Sequence, residues 1–268
     1  MVKSPLFRFG LVVLLLGGGI GTSISAGSLS ADQVIAKAVA RAQKPQNKAG
    51  LPAYTYTKVT LTEEFDATGN VKERKEKVFQ VFFELGATRV KLIEVNGRSP
   101  GEAELKKQAE NEKHLQKMVG ESKSQSESRD NPLTPELVAR FDFKLLGETE
   151  INGRRAYQIA FQPKNPEPPV HHIVDRLLNR ISGKVCIDAE EFEIARAEVF
   201  LGSEVNLLGG VVGSLKKLAY TMTRTRMGDG IWFNTFSSGD FEGRKLLDST
   251  RIKTKSQSIN FRPVRLTS

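Results

Sequence analysis

The stretch INGRRAYQIAFQP (151–163), a Pro- and His-rich break, and NRISGKVCIDAEEFEIARAEVFL (179–201) decide the reading of this chain. From Arg154 to Gln162 the odd positions Tyr157, Ile159 and Phe161 are apolar, while Gln158 and Gln162 mark the even ones. Further on, Ala195, Ala197, Val199 and Leu201 alternate with Arg196 and Glu198. Successive side chains of a strand point to opposite faces, so both patterns predict antiparallel strands with one buried face and one wet face. Gly153 and Gly183 read as the turns that open two of these strands. Asp188 to Phe192 supplies the polar residues of a hairpin connection.

The flanking sequence extends the pattern. Ser30 and Gln33 form a capping box for a helix running to Gln43, with Val34, Ile35, Ala38, Val39 and Ala42 on one side and Lys44-Pro45 as its end. Strands are expected at Tyr54–Phe65, Val71–Leu85 and Thr88–Val95, the first two joined by a turn at Asp66–Asn70. After Pro100 the composition changes: Glu102–Lys117 predicts an exposed helix and Ser122–Asp130 a polar loop, together a charged insertion at about 101–131. Thr134 and Pro135 start a short helix, a strand follows at Phe141–Thr149, and Val174–Leu178 makes one helical turn. Ser203–Ser214, with three glycines, is either a packed loop or a pliable lip. A last meander covers Leu215–Met227, Ile231–Ser238 and Arg244–Phe261, with turns at Gly228–Gly230 and near Glu242-Gly243. The fold class is therefore mainly β with helices (α+β), in one domain over residues 27–268.

The order Asn152-Gly153-Arg154, Tyr157, Phe161-Gln162-Pro163, then Asn179-Arg180-Ile181, Gly183, Val185, Ile187-Asp188, Phe192, Ile194, Arg196 and Glu198, resembles the LolA/LolB-like superfamily of bacterial outer-membrane lipoprotein-sorting proteins. The resemblance runs from about Tyr54 onward. It implies a curved antiparallel sheet forming an incomplete β-barrel covered by helices, whose apolar cavity takes up the acyl chains of lipids or lipoproteins. It equally implies an alternative: some proteins of this fold act as envelope sensors or adaptors that bind a protein partner.

Residues 1–26 have the layout of a secretory signal. Lys3 and Arg8 precede an apolar run, Phe9–Leu16, and a small-residue tail ends in Ile24-Ser25-Ala26. The run is far short of the roughly 20 residues that span a membrane, although retention as an anchor is the alternative to cleavage near Ala26. No Cys follows the cleavage point, so no lipid is expected there, and the chain is expected in the periplasm as a monomer. The single Cys186 excludes an internal disulfide and reads as a small buried hydrophobe within a strand.

The sequence carries no constellation for catalysis. His171 and His172 are adjacent on an extended segment and point apart, and the third histidine, His114, lies in the insertion, so no metal site is expected. Gly209-Gly210 and Gly213-Ser214 lack the lysine of a phosphate-binding loop, and no nucleophile elbow is present. Neither an enzyme nor a cofactor is expected. The formal charge is +9, and from Ser214 to Ser268 eleven Lys and Arg face only four Asp and Glu. Without an aromatic-plus-basic motif this does not point to nucleic acid. The expected working surfaces are two. An apolar cavity is lined by Phe79, Val81, Phe83, Tyr157, Ile159, Phe161, Val199 and Leu201. A cationic face of Arg224, Arg226, Arg251, Lys253 and Lys255 meets an anionic membrane or an envelope protein.

Overall fold

The computed structural model describes residues 29–44, 53–84, 87–110, 133–207, 213–228, 230–245 and 248–264. The signal stretch, most of the insertion and residues 208–212 lie outside them. Eleven strands follow helix α1 (Ala31–Gln43): β1 (Ala53–Phe65), β2 (Val71–Glu84), β3 (Ala87–Val95), β4 (Phe141–Ile151), β5 (Arg154–Pro163), β6 (Ile181–Asp188), β7 (Ile194–Leu201), β8 (Val205–Leu207), β9 (Gly213–Arg226), β10 (Trp232–Lys245) and β11 (Asp248–Val264). Helical residues 102–110 (α2) follow β3, α3 (Pro135–Val138) precedes β4, and α4 (Ile173–Leu178) precedes β6.

All the strands belong to one antiparallel sheet in the order β3-β2-β1-β11-β10-β9-β7-β6-β5-β4, with β8 beside β9. The sheet is open, with β3 and β4 as its edges. Residues directly opposed across a ladder share a face. One row can therefore be followed over ten strands: Leu145, Ile159, Val185, Ala197, Met222, Ser237, Ser256, Thr60, Lys77 and Val95. This is the α1 face. Its first five members are apolar, the next four polar.

Helix α1 forms where the capping box predicts: Ser30 Oγ accepts from Gln33 N at 3.2 Å, and the Gln33 side chain accepts from Ser30 N at 2.9 Å. Such a cap contributes about 1 kcal/mol. Packing contributes more. Ala31, Val34, Ile35, Ala38 and Val39 are buried against Ile159, Val185, Ile187 and Ile194, with Leu145, Tyr157, Ala197 and Met222 around them. Each fully buried Val or Ile contributes about 1.5–3 kcal/mol. The core stops at β9.

Two glycine expectations are corrected. Gly153 does sit in a turn, paired with Asn152 at positive φ (75° and 51°). Gly183, in contrast, lies inside β6, where a Cβ would fall 1.9 Å from the Glu198 carbonyl oxygen. It permits a close approach of β6 and β7 instead of opening a strand. Likewise β10 runs unbroken through Glu242-Gly243, where the sequence suggests a turn. The register with β9 shifts at that point, and a Cβ on Gly243 would stand 2.7 Å from the Ser214 carbonyl oxygen. A glycine in a strand pattern marks a bulge as readily as a turn.

Candidate functional site

Beside α1, between its flank, α3 and the edge strand β4, lies a groove of about 680 Å³. Its walls are Ile35, Ala36, Val39 and Ala40 of α1, Pro135 and Val138 of α3, and Phe141 and Phe143 of β4. Asp32, Gln43, Asp142 and Lys164 form the polar rim. Local sequence explains the shape. Ala36 and Ala40, four residues apart, give α1 a second stripe of small side chains toward the groove. Thr134 caps α3 through Leu137 N at 3.2 Å and so fixes Pro135 and Val138 above β4. Phe141 meets Phe161 edge-on at 5.4 Å and lies tilted against Phe143 at 6.5 Å, which stiffens the floor.

The C-terminal end of α1 is fastened by charge. Glu193, 2% exposed, accepts from Arg224 at 2.8 Å and forms an ion pair with Arg41 of α1 at 3.2 Å. Arg224 also donates to the carbonyls of Ile194 and Trp232, at 3.4 and 3.3 Å. Glu191 accepts from Arg226 and, at 2.7 Å, from the Trp232 indole. Asp188 takes both arms of Arg154, at 2.7 and 2.9 Å, and its Oδ1 accepts from the backbone of Glu190 and Glu191. Burial opposes ionisation of Asp188, but Arg154 and those amides outweigh it and hold the carboxyl below its usual range. The carboxylates of this turn serve its backbone and its arginines, as the composition suggests.

The eight residues expected to line one cavity do not form one surface. Tyr157, Ile159 and Phe161 on β5 and Val199 and Leu201 on β7 share the α1 face. Ile159 is wholly buried under α1, and Phe161 backs the groove through Phe141 and Phe143. None of the seven whose side chains are described is a wall of the groove itself. Phe79 and Val81 stand on β2, separated from β7 by β1, β11, β10 and β9, where the same face carries Thr60, Ser256 and Ser237. The side chain of Phe83 lies outside the described residues. Period two assigns a face within a strand, but not which strands are neighbours.

The cationic set divides as well. Arg224, 5% exposed, and Arg226 are taken up by Glu193 and Glu191 and do not belong to a free surface. Arg251, Lys253 and Lys255 do share the outer face of β11, as their alternation predicts. There Asp240 binds Arg251 at 2.9 Å and Lys217 at 2.8 Å. Lys253 lies over the Phe65 ring and Lys255 over that of Phe236, at 5.1 and 5.9 Å.

Cys186 is buried, as expected, but on the outer face, opposite Gln158 and Arg196, and burial pushes its thiol up against the pull of Arg196. His171 and His172 both donate backbone N–H groups to Asp175 Oδ2 at 2.8 Å, an α4 cap. Among the described residues no three His, Cys, Asp or Glu side chains are grouped to hold a metal, and no described helix is long and apolar enough to cross a membrane.

No family model matches the chain, and no curated protein matches it. Solved structures do. The chain is similar to LolA superfamily proteins. One is a LolA superfamily protein from Nitrosomonas europaea, at 10% identity and TM-score 0.30, with 90% of this chain and 96% of that one covered. Another is described as an outer membrane lipoprotein-sorting protein domain from Vibrio parahaemolyticus, at 11% identity and TM-score 0.36, covering 89% and 95%. The MucA/MucB complex of Pseudomonas aeruginosa matches at 9% identity and TM-score 0.25, over 88% and 99%.

Proposed function

We propose that this protein is a non-enzymatic, periplasmic carrier whose groove beside α1 takes up an acyl chain of a lipid or lipoprotein. The observation that carries this reading is the groove of about 680 Å³ walled by Ile35, Val39, Val138, Phe141 and Phe143. Apolar pockets of this size suit small-molecule and lipid ligands. Each methylene buried there contributes about 0.8 kcal/mol, so a long chain gains enough to be held, and release has to be built in. Ala36 and Ala40 offer little contact area, which keeps the grip of α1 on such a chain modest. The N-terminal signal layout supports export. The test is titration with a fluorescent fatty-acyl probe, beside native mass spectrometry of gently purified protein. Ala36→Glu and Ala40→Glu alter exposed positions of α1 and leave its core stripe intact. They are expected to weaken the probe by tenfold or more, about 1.4 kcal/mol, with unchanged thermal melting. A wild type that binds no acyl probe and carries no lipid sinks this reading and leaves an adaptor for an envelope protein.

A second reading rests on the outer face, where Lys253 and Lys255 cover Phe65 and Phe236. Cations beside half-buried rings suit an anionic leaflet, each contributing up to about 1 kcal/mol. Cosedimentation with phosphatidylglycerol vesicles is expected at low salt and lost by about 0.5 M, where screening is severe. Equal binding to neutral vesicles reduces these lysines to a solvated strand face.

A further inference from the structure

The polar half of the α1 face is not flat. Between β2, β1 and β11 it holds a trough of about 470 Å³. Its floor is built from hydroxyls: Thr60 lies across from Ser256 and bonds it at 2.9 Å, and Thr62 lies across from Thr254. The wall on the β2 side carries Lys75 and Lys77, and α2 stands next to it, with Glu104 at 3.7 Å from Lys75. Two carboxylates close one end, and both have cations: Glu64 has Lys72 at 3.1 Å, and Glu73 has Lys75 at 4.0 Å.

The other end is different. Lys58 faces Phe79 and Thr60 faces Lys77, so Lys58 and Lys77 are diagonal neighbours on one face. Such positions are about 7–8 Å apart, within joint reach of one small ligand. Neither ammonium has a carboxylate within ion-pair distance among the described residues. Lys77 is half-buried, and burial first, then Lys75 and Lys107, depress its pKa against the weaker opposing pull of Glu104 and Glu73. Two cations and a hydroxyl floor thus share the end of a trough whose carboxylates, Glu64 and Glu73, sit at the opposite end with cations of their own. A singly charged carboxylate offsets one ammonium only. A group with two charges and several acceptor oxygens bridges both and also accepts from the hydroxyls.

We propose that this trough binds a phosphoryl-class anion between Lys58 and Lys77. The source is either free phosphate or a lipid headgroup. For the second, Tyr56, two residues from Lys58, stacks on Phe261 at 4.7 Å and provides an apolar flank. The site is separate from the acyl groove, which lies on the far side of α1 at β4.

Calorimetric titration of the full chain with inorganic phosphate, and separately with monomeric dihexanoyl phosphatidic acid, tests it. Saturable binding is expected for the wild type. Lys58→Gln and Lys77→Gln are each expected to weaken it about tenfold, the loss of one charge-assisted contact. Lys91→Gln, an exposed cation on the outer face of β3, is the control and is expected to change nothing. A lipid bound more than about tenfold tighter than phosphate identifies a headgroup site, and comparable affinities identify free phosphate. No saturable binding of either probe overturns the proposal, as does a Lys91→Gln loss equal to that of Lys77→Gln. The acyl-probe titration is expected to be unaffected in Lys58→Gln and Lys77→Gln, so this site and the acyl groove fail independently.

Discussion

Leu145, Ile159, Val185, Ala197 and Met222 occupy the same row of one sheet face as Ser237, Ser256, Thr60 and Lys77, yet they make two unlike surfaces. The seam falls between β9 and β10. Its cause is a matter of length. Ten strands spaced about 4.8 Å apart give a sheet roughly 43 Å wide. A helix of 13 residues is only about 20 Å long, so α1 can dry only part of that width. Where it sits, the row is aliphatic. Beyond its reach hydroxyls and a lysine take over from Ser237 to Lys77, because a half-wet concavity favours groups that water or a polar ligand can satisfy. The row then ends on buried Val95 at the β3 edge.

This contrast can be broken most strongly at Glu193. Glu193→Ala strips the carboxylate from buried Arg224 and releases Arg41 of α1. The expected loss is about 3–5 kcal/mol in urea unfolding, the cost of stranding a buried charge. A loss under about 1 kcal/mol would mean that water reaches Arg224 and that the helix-covered half is less dry than its burial indicates.

A paired substitution along the row sharpens the comparison. Ile159→Ala is expected to cost about 2–5 kcal/mol, since the wholly buried side chain leaves a cavity under α1. Thr60→Ala, three positions beyond the seam, removes one hydroxyl contact and is expected to cost no more than about 1 kcal/mol. Equal costs would erase the distinction between the halves.

The smallest effect is set by pH. Asp240, behind the polar half, is held down to about 2, first by the hydrogen bond from Arg251 and then, against the opposing effect of burial, by Lys217. Its folded value lies below the ordinary 3.8, so its contribution is complete above that value and is lost as the pH falls toward 2. Asp240→Asn is therefore expected to lower stability by a constant amount from pH 7 to about 5, with the difference from wild type shrinking below about pH 4 and fading as the pH falls through about 2. A difference that keeps its full size down to about pH 2 would assign the effect to packing.

Much of the fold is legible in the sequence because it is local. Ser30 and Gln33 announce α1, Asn152-Gly153 announces the β4–β5 hairpin, and the alternation of Tyr157, Ile159 and Phe161 gives the buried face of β5. What fails is non-local. Val59 and Leu61 alternate with Thr60 and Thr62, and pattern alone would turn the aliphatic pair toward the core. The ladder instead puts the threonines on the α1 face and Val59 and Leu61 on the outer one. Arg224 reads as a surface strand cation until Glu193, 31 residues away, is brought against it. The groove walls are within reach of the sequence: the Ala36 and Ala40 stripe and the Phe141 and Phe143 pair are both visible there, but nothing says that they meet.

The ladder between β1 and β11 also dictates an order of events in time. It joins residues nearly the whole described chain apart, Thr60 to Ser256 being separated by 196 positions. Strands β4 to β10 can pair step by step as they emerge, each with a neighbour close in sequence apart from the short detour through β8. The block β1–β2–β3 has no such neighbour and waits until β11 arrives. Contacts of this separation form slowly, because a long loop must close before any pairing compensates for it. During synthesis the early hairpins are thus the last to be docked, and their unpaired edges are the part of the nascent chain most in need of a chaperone.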